Sequence, residues 1–250
     1  MENEKKKKIL ILVEGQKKEP ELLKTLFTFF PELDAKYKIV SYRTHIYALY
    51  QDLFIRNQAD EIDLLQLLKE RETDSTKKAI FDERYTDILL VFDFEPHDSQ
   101  FSEEKIRRMQ AYFCESSDMG QLYINYPMIE AFYHLRDLPD DDFTSRTVDM
   151  SVLREGKYKE LVGQESYARY HKKYPATREL YSRIICHHIQ KAKQIMLKAP
   201  QNSSQREALD AVMVLDEQVK ALLHNDYVYV LCTCIWFIYE YNKVIQQEIM

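Results

Sequence analysis

Apolar residues fall along this chain in two rhythms. Residues 8–13, KILILV, make a short unbroken aliphatic run, the pattern of a strand buried on both faces. From 19 to 30, EPELLKTLFTFF repeats its apolar positions every three or four residues, which predicts a helix. Pro20 lies near the start of that helix and Glu19 and Glu21 fall in its first turn, as proline's fixed φ and the helix dipole favour. The alternation then repeats. YKIVSYR (37–43) reads as a second strand, 46 to about 72 as a helical stretch broken near Asp60, and DILLVFDFE (87–95) as a third, buried strand. SEEKIRRMQAYFCES (102–116) reads as a helix with an acidic start and QLYINYP (121–127) as a fourth strand. Strands and helices in this order predict an α/β fold, a mostly parallel, Rossmann-like sheet with helices on both faces.

From PMIEAFYHL (127–135) onward the pattern is mainly helical, with apolar stripes in 177–199 and 204–224 and a linking loop at LPDDDFTSRTVD (138–149). The chain thus divides into an α/β domain over 1–137 and a helical C-terminal region over 138–250 that packs on it or extends it.

With 45% hydrophobic and 30% charged residues, the composition is that of a globular protein, and no apolar run reaches the roughly 18–20 residues that span a bilayer. The basic N-terminus precedes an apolar stretch too short for a signal peptide, which predicts a cytoplasmic location without membrane attachment. Cys114, Cys186, Cys232 and Cys234 lack CxxC spacing, so neither zinc ligands nor disulfides are expected, and Cys232 and Cys234, in an apolar segment, read as core thiols. A net charge of −6 argues against a uniformly basic surface but permits a local basic groove. With four glycines and neither GxGxxG nor GxxxxGK[ST], the chain carries no sequence signature of a phosphate-cradling loop.

In an open parallel sheet, ligands bind beyond the carboxyl ends of the strands. Glu14 ends the first strand, Asp93 and Glu95 the third, and Asn125 the fourth, so the predicted topology carries all four to one rim. Carboxylates within about 4 Å repel by roughly 4 kcal/mol per pair at an effective dielectric near 20. A fold holds them there when a cation sits between them or a proton is shared. An oxygen-only donor set suits Mg²⁺ or Mn²⁺.

Other residues carry two readings each. Glu130 and His134, at i and i+4, would share a helix face, either as a surface hydrogen bond or as a metal or proton-transfer pair. Asp98 is a turn residue or an extra ligand, and Asp140 to Asp142 read as a solvated loop. Cys186, His187 and His188 are adjacent on a helix and point to different faces, so they do not share a metal. YARYHKKYPATR (167–178) interleaves four basic residues, Lys172 and Lys173 among them, with three tyrosines. It is either a surface for phosphate contact and base stacking or a solvated face.

VEGQKKEPELL resembles the first motif of Toprim domains, in the EGxxxEP form of small RloB-like proteins, relatives of the OLD-type nucleases. LLVFDFE is similar to their second motif, with Glu95 in place of the usual second aspartate. INYPMIEAFYHL is similar to the Asn-Pro…Glu…His segment that follows, with Tyr126 inserted between Asn125 and Pro127 and with Glu130 and His134 at matching positions. The resemblance spans about residues 8–135 and implies a Toprim-like, Mg²⁺-dependent nuclease of DNA or RNA from bacterial restriction or anti-phage loci. It implies Glu14 as general acid/base, with Asp93 and Glu95, joined by Glu14, as the metal's oxygen donors. Glu19 matches a family acid. Lys17 and Lys18, just past the first strand, would steer the nucleic-acid backbone.

Two other functions fit the same residues. One is a non-catalytic Toprim-like module that binds nucleic acid or regulates a partner ATPase, since this chain has no nucleotide-binding motif of its own. The other is a phosphohydrolase of small molecules on the same rim.

Overall fold

The computed structural model describes residues 7–31, 35–56, 63–117, 119–166, 176–199, 208–242 and 245–247. Lys172 and Lys173, with most of the basic, tyrosine-rich tract, lie outside the described residues.

The α/β half runs β1 (Lys7–Val13), α1 (Lys18–Phe29), β2 (Ala35–Ser41), α2 (Ile46–Tyr50), α3 (Leu64–Arg71), α4 (Ser75–Lys78), β3 (Asp87–Asp93), α5 (Glu103–Tyr112), β4 (Cys114–Glu115) and β5 (Gly120–Asn125). The five strands form one sheet in the order β2-β1-β3-β5-β4. β1 pairs in parallel with both β2 and β3, β3 pairs in parallel with β5, and the short β4 closes the edge antiparallel.

Ile9 to Val13 are all buried. Alternate side chains of a strand point to opposite faces, so both faces of β1 are covered, as its unbroken aliphatic run predicts. β2 lies at an edge and keeps polar, exposed positions. At the start of β5, Gly120 has φ +118°, and a Cβ there would sit 2.6 Å from Leu90 Cδ1, so only glycine fits.

The expected helix after α2 is a π-helical turn, Gln51–Arg56, and α3 begins at Leu64 with the Asp63 side chain accepting the Leu65 N–H. The segment after β5 differs more. Beyond the cis Tyr126-Pro127 bond, Ile129–Tyr133 is a 3-10 turn rather than an α-helix.

The C-terminal region is mainly helical: α6 (Met150–Arg154), α7 (Tyr158–Glu165), α8 (Arg178–Met196), α9 (Ala211–Asn225) and α10 (Trp236–Tyr241). Sequence periodicity missed its two-stranded sheet, β6 (Thr147–Asp149) against β7 (Tyr227–Tyr229). These strands have three residues each, too few for alternation to declare itself.

Beyond β7 the chain returns to the main sheet. Tyr126 and Leu231 exchange backbone hydrogen bonds of 2.7 and 2.8 Å, and Thr233 Oγ1 donates to Ile124 O at 2.8 Å. One apolar core therefore runs through both halves, from Ile9–Val13 in β1 to Trp236, Phe237 and Ile238 in α10. No described helix is long and apolar enough to cross a membrane.

Two further expectations meet the structure. Asp141 and Asp142 are exposed as a solvated loop requires, but Asp140 is buried and ion-paired with Arg146. Cys232 and Cys234 are buried free thiols.

Candidate active site at the carboxyl rim of the sheet

The sheet order reverses between β1 and β3, since the chain first adds β2 on one side of β1 and then β3 on the other. Such a switch point opens a crevice at the strands' carboxyl ends, where open α/β sheets bind ligands. Glu14 and Asp93 stand on its two sides.

Their positions follow from the sheet's own hydrogen bonding. Glu14 N donates to Val91 O at 3.1 Å, so Glu14 continues the β1–β3 ladder by one residue. Its side chain turns across the crevice, where Glu14 Oε2 accepts the Asp93 backbone N–H at 3.1 Å. Burial, followed by the Glu95 charge, pushes the Glu14 carboxyl up to about 8. Asp93 is 7% exposed, and burial, followed by the Glu14 charge, holds it well above the usual carboxylate range.

Asn125 faces Asp93 in register on β5 and is fully buried. Its Nδ2 donates to Asp93 Oδ1 at 3.4 Å, while its Oδ1 accepts from Cys232 Sγ at 3.3 Å and from Cys234 N at 3.4 Å. The Cys234 N–H can only donate, so it fixes which way the amide points. Asn125 is thereby committed to offering Asp93 its NH₂.

Glu95 has φ +40°, a left-handed conformation that costs a non-glycine residue free energy and is found at sites where geometry serves function. The Phe94 and Glu95 N–H groups converge on Pro127 O, at 3.1 and 3.4 Å, which turns the chain sharply just past β3. Asp98 belongs to that turn, its Oδ1 accepting Gln100 N at 2.7 Å.

Glu19, in the first turn of α1, is buried over Gly15. A Cβ at Gly15 would lie 2.5 Å from Glu19 Oε2, so the EG pair at the end of β1 is the space that admits the Glu19 carboxyl. Burial raises the Glu19 pKa, the Gly15 N–H lowers it, and the Glu130 charge raises it again.

Glu130 brings a fifth acid from the 3-10 turn. Its Oε1 pairs with Lys18 and lies 3.8 Å from Lys159 Nζ, and its Oε2 is buried with no hydrogen-bond partner among the described residues. His134 turns elsewhere. Its Nδ1 meets Tyr158 OH at 3.1 Å and its Nε2 meets Glu165 Oε2 at 3.1 Å. The expectation that Glu130 and His134 share one helix face is therefore corrected. The i,i+4 rule requires an α-helix, and here the segment is a 3-10 turn that ends at Tyr133. Burial lowers His134 to about 4, so it is neutral at pH 7.

Lys17 is exposed and makes no side-chain cap for α1. Lys159, in the first turn of α7, reaches this rim from the C-terminal region and was missed in sequence, where it is one lysine among many on a helix surface.

The rim thus collects Glu14, Glu19, Asp93, Glu95 and Glu130, with Lys18 and Lys159 on Glu130. The donors are all oxygens and their negative charge is incompletely offset, a combination that suits a hard divalent cation. Among the described residues, no three His, Cys, Asp or Glu side chains already converge on a single point in metal-binding geometry. Comparison with family models, with curated proteins and with solved structures yields no match to this chain. The chemistry of the rim residues therefore carries the functional reading.

Proposed function

We propose that this protein is a metal-dependent phosphodiesterase acting on DNA or RNA, a Toprim-like nuclease. One observation supports this above all: Glu14, Glu19 and Asp93 are packed at the switch-point crevice with their pKa values raised by burial and by the charges of the rim acids around them, Glu95 and Glu130 included. Unrelieved like charge destabilises a fold, and its concentration at a ligand-binding crevice is a mark of function.

Asp93 and Glu95 are the residues that would hold Mg²⁺ or Mn²⁺. When bound, the ion would offset charge developing on the scissile phosphate. The remaining roles fall to the chain itself. Glu14 keeps a proton up to a pH of about 8, and with Oε2 engaged by the Asp93 N–H, Oε1 carries that proton for a leaving oxygen. Asn125 holds Asp93 in place. Lys18 and Lys159, more than half exposed, present positive charge to a phosphate backbone at the edge of the acids.

The test is calorimetric titration of Mg²⁺ and Mn²⁺ into the wild type and the folded Glu14→Gln and Asp93→Asn variants, followed by cleavage assays on single- and double-stranded DNA and on RNA. Metal binding lost in Asp93→Asn, together with metal-dependent cleavage, is the expected result. Equal binding in the wild type and both variants, or none in any of them, would make the rim acids structural. Metal binding with turnover of nucleotides but not of polynucleotides would replace the nuclease by a phosphohydrolase. Metal binding without any turnover would leave a module that acts through a partner.

A further inference from the structure

A second surface begins where the acids of the rim end. Past β3, Asp98 N donates to Glu95 O at 3.0 Å, Gln100 N to Asp98 Oδ1 at 2.7 Å, and Lys105 Nζ to Gln100 O at 3.1 Å. This hydrogen-bonded loop carries the chain from the crevice onto α5. Lys105, Arg108 and Tyr112 are spaced i, i+3 and i+7, so they share one face of that helix. The face meets α2 and the π-helical turn Gln51–Arg56. Lys105 Nζ lies 5.9 Å from the centre of the Tyr50 ring, and the Arg108 guanidinium lies over the Phe54 ring, 4.2 Å from its centre. Phe54 in turn packs against Tyr50 at 5.0 Å and edge-on against Tyr112 at 5.1 Å. Tyr50 is buried, Phe54 and Tyr112 are half-buried, and Arg108 is exposed, as is Ile55 in the same π-helical turn.

The chemistry of this face fits an unpaired nucleic-acid strand. Cations interleaved with rings are what strand-binding proteins use to hold a backbone and stack its bases. A guanidinium laid on a phenyl ring still presents its outer plane, and bases stack on such planes. π-helical turns are rare and are frequent at functional sites. Acids stand close by: Glu103 pairs with Arg107 at 2.9 Å, and the exposed Glu104 lies one turn before Arg108. Charge here is therefore mixed, and stacking has to supply what attraction alone does not. Only a strand with unstacked bases can use it.

We propose that the face formed by α5, α2 and the π-helical turn binds single-stranded DNA or RNA and leads it to the rim. The inference rests on the nuclease reading of the rim and narrows its substrate to a single strand. Lys105 and Arg108 meet the backbone, and bases stack on the Arg108 plane and the Tyr112 ring.

The experiment measures fluorescence anisotropy of labelled dT20 and rU20, and of a 20-base-pair duplex, with the full chain at low salt in EDTA. A single strand is expected to bind more tightly than the duplex. Arg108→Ala should weaken it about tenfold and make the salt dependence shallower by about 0.7. Arg108→Lys keeps the charge and loses the plane, so it should weaken the strand about fivefold at an unchanged salt slope. The proposal is overturned if no single strand binds, if the duplex binds as tightly, or if both Arg108 variants bind as the wild type does. Equal binding by Arg108→Lys and the wild type overturns stacking on Arg108. Because binding is read without metal, the two readings fail separately. Strand binding by a protein that never cleaves removes the nuclease and keeps this face, whereas metal-dependent cleavage unchanged in Arg108→Ala does the reverse.

Discussion

At the sheet rim, the half-buried Glu14 and the buried Asp93 stand together with three more acids, and their carboxyls titrate upward. Around Asp140, in the C-terminal half, an acid as buried as Asp93 titrates downward. Burial works against the Asp140 charge, but the Arg146 guanidinium and the N–H groups of Arg136, at 2.6 Å, and Asp142, at 3.2 Å, outweigh it. Nearby, the fully buried Lys191 donates to Phe143 O at 2.8 Å and to Arg146 O. His188 sits in the same core, its Nδ1 accepting Cys232 N at 3.1 Å. Desolvation acts on both regions, and the neighbours decide the outcome. Paired charge in the C-terminal half holds the fold, whereas unpaired charge at the rim is held by the fold.

Removing a partner on the compensated side should have the largest effect. Asp140→Ala leaves Arg146 buried without its acid and is expected to cost about 3–5 kcal/mol in urea denaturation, as broken buried pairs do. A loss under about 1 kcal/mol would show that Asp140 is no better compensated than the rim.

The pH dependence of stability should have opposite signs in the two regions. Glu14 binds its proton more tightly folded than unfolded, so its contribution is fully present below about 4.5 and is lost as pH rises toward about 8. In metal-free buffer stability should fall measurably over this interval, and Glu14→Gln should flatten the fall. His134 behaves inversely. Its folded pKa is lowered from 6.5 to about 4, so stability is lost as pH falls through that interval. Chemical denaturation across pH 4–9, in both the wild type and Glu14→Gln, separates the two slopes.

A smaller shift should follow from neutralising the second rim acid. At pH 8 without metal, Asp93→Asn should be more stable than the wild type by about 1 kcal/mol, because it removes a like charge. Mg²⁺ should raise the melting temperature of the wild type and leave that of this variant unmoved. A variant less stable than the wild type would place Asp93 with Asp140 among the structural acids.

The smallest change in stability belongs to Lys159→Ala. Its side chain is 62% exposed, so the fold should lose less than about 0.5 kcal/mol. Polynucleotide affinity should fall, and the dependence of log affinity on log salt should become shallower by about one unit. An unchanged salt slope would leave Lys159 as a partner of Glu130 alone.

Much of this was legible in the chain. The unbroken aliphatics of β1 and β3 announce strands covered on both faces, and because each ends in an acid, Glu14 and Asp93 had to emerge at the same end of a parallel sheet. The helical spacing of 19–30, with Pro20 near its start, placed Glu19 in the first turn of α1. These inferences hold because local periodicity is set by backbone geometry, which sequence alone encodes.

Tertiary structure decided the rest. Glu130 and His134, four residues apart, part company because the segment after β5 winds as a 3-10 turn, and its neighbours rather than its own pattern select that winding. Asp140 reads as one of three loop acids until Arg146, six residues on, is folded against it. Lys159 arrives at Glu130 from a helix 29 residues later, and the segment from Cys232 to Cys234 clasps Asn125 across more than 100 residues. Alternation and helical spacing report only on neighbours along the chain. Compensation of charge depends on neighbours in space, and that is what separates the acids that build this protein from those it holds ready at its rim.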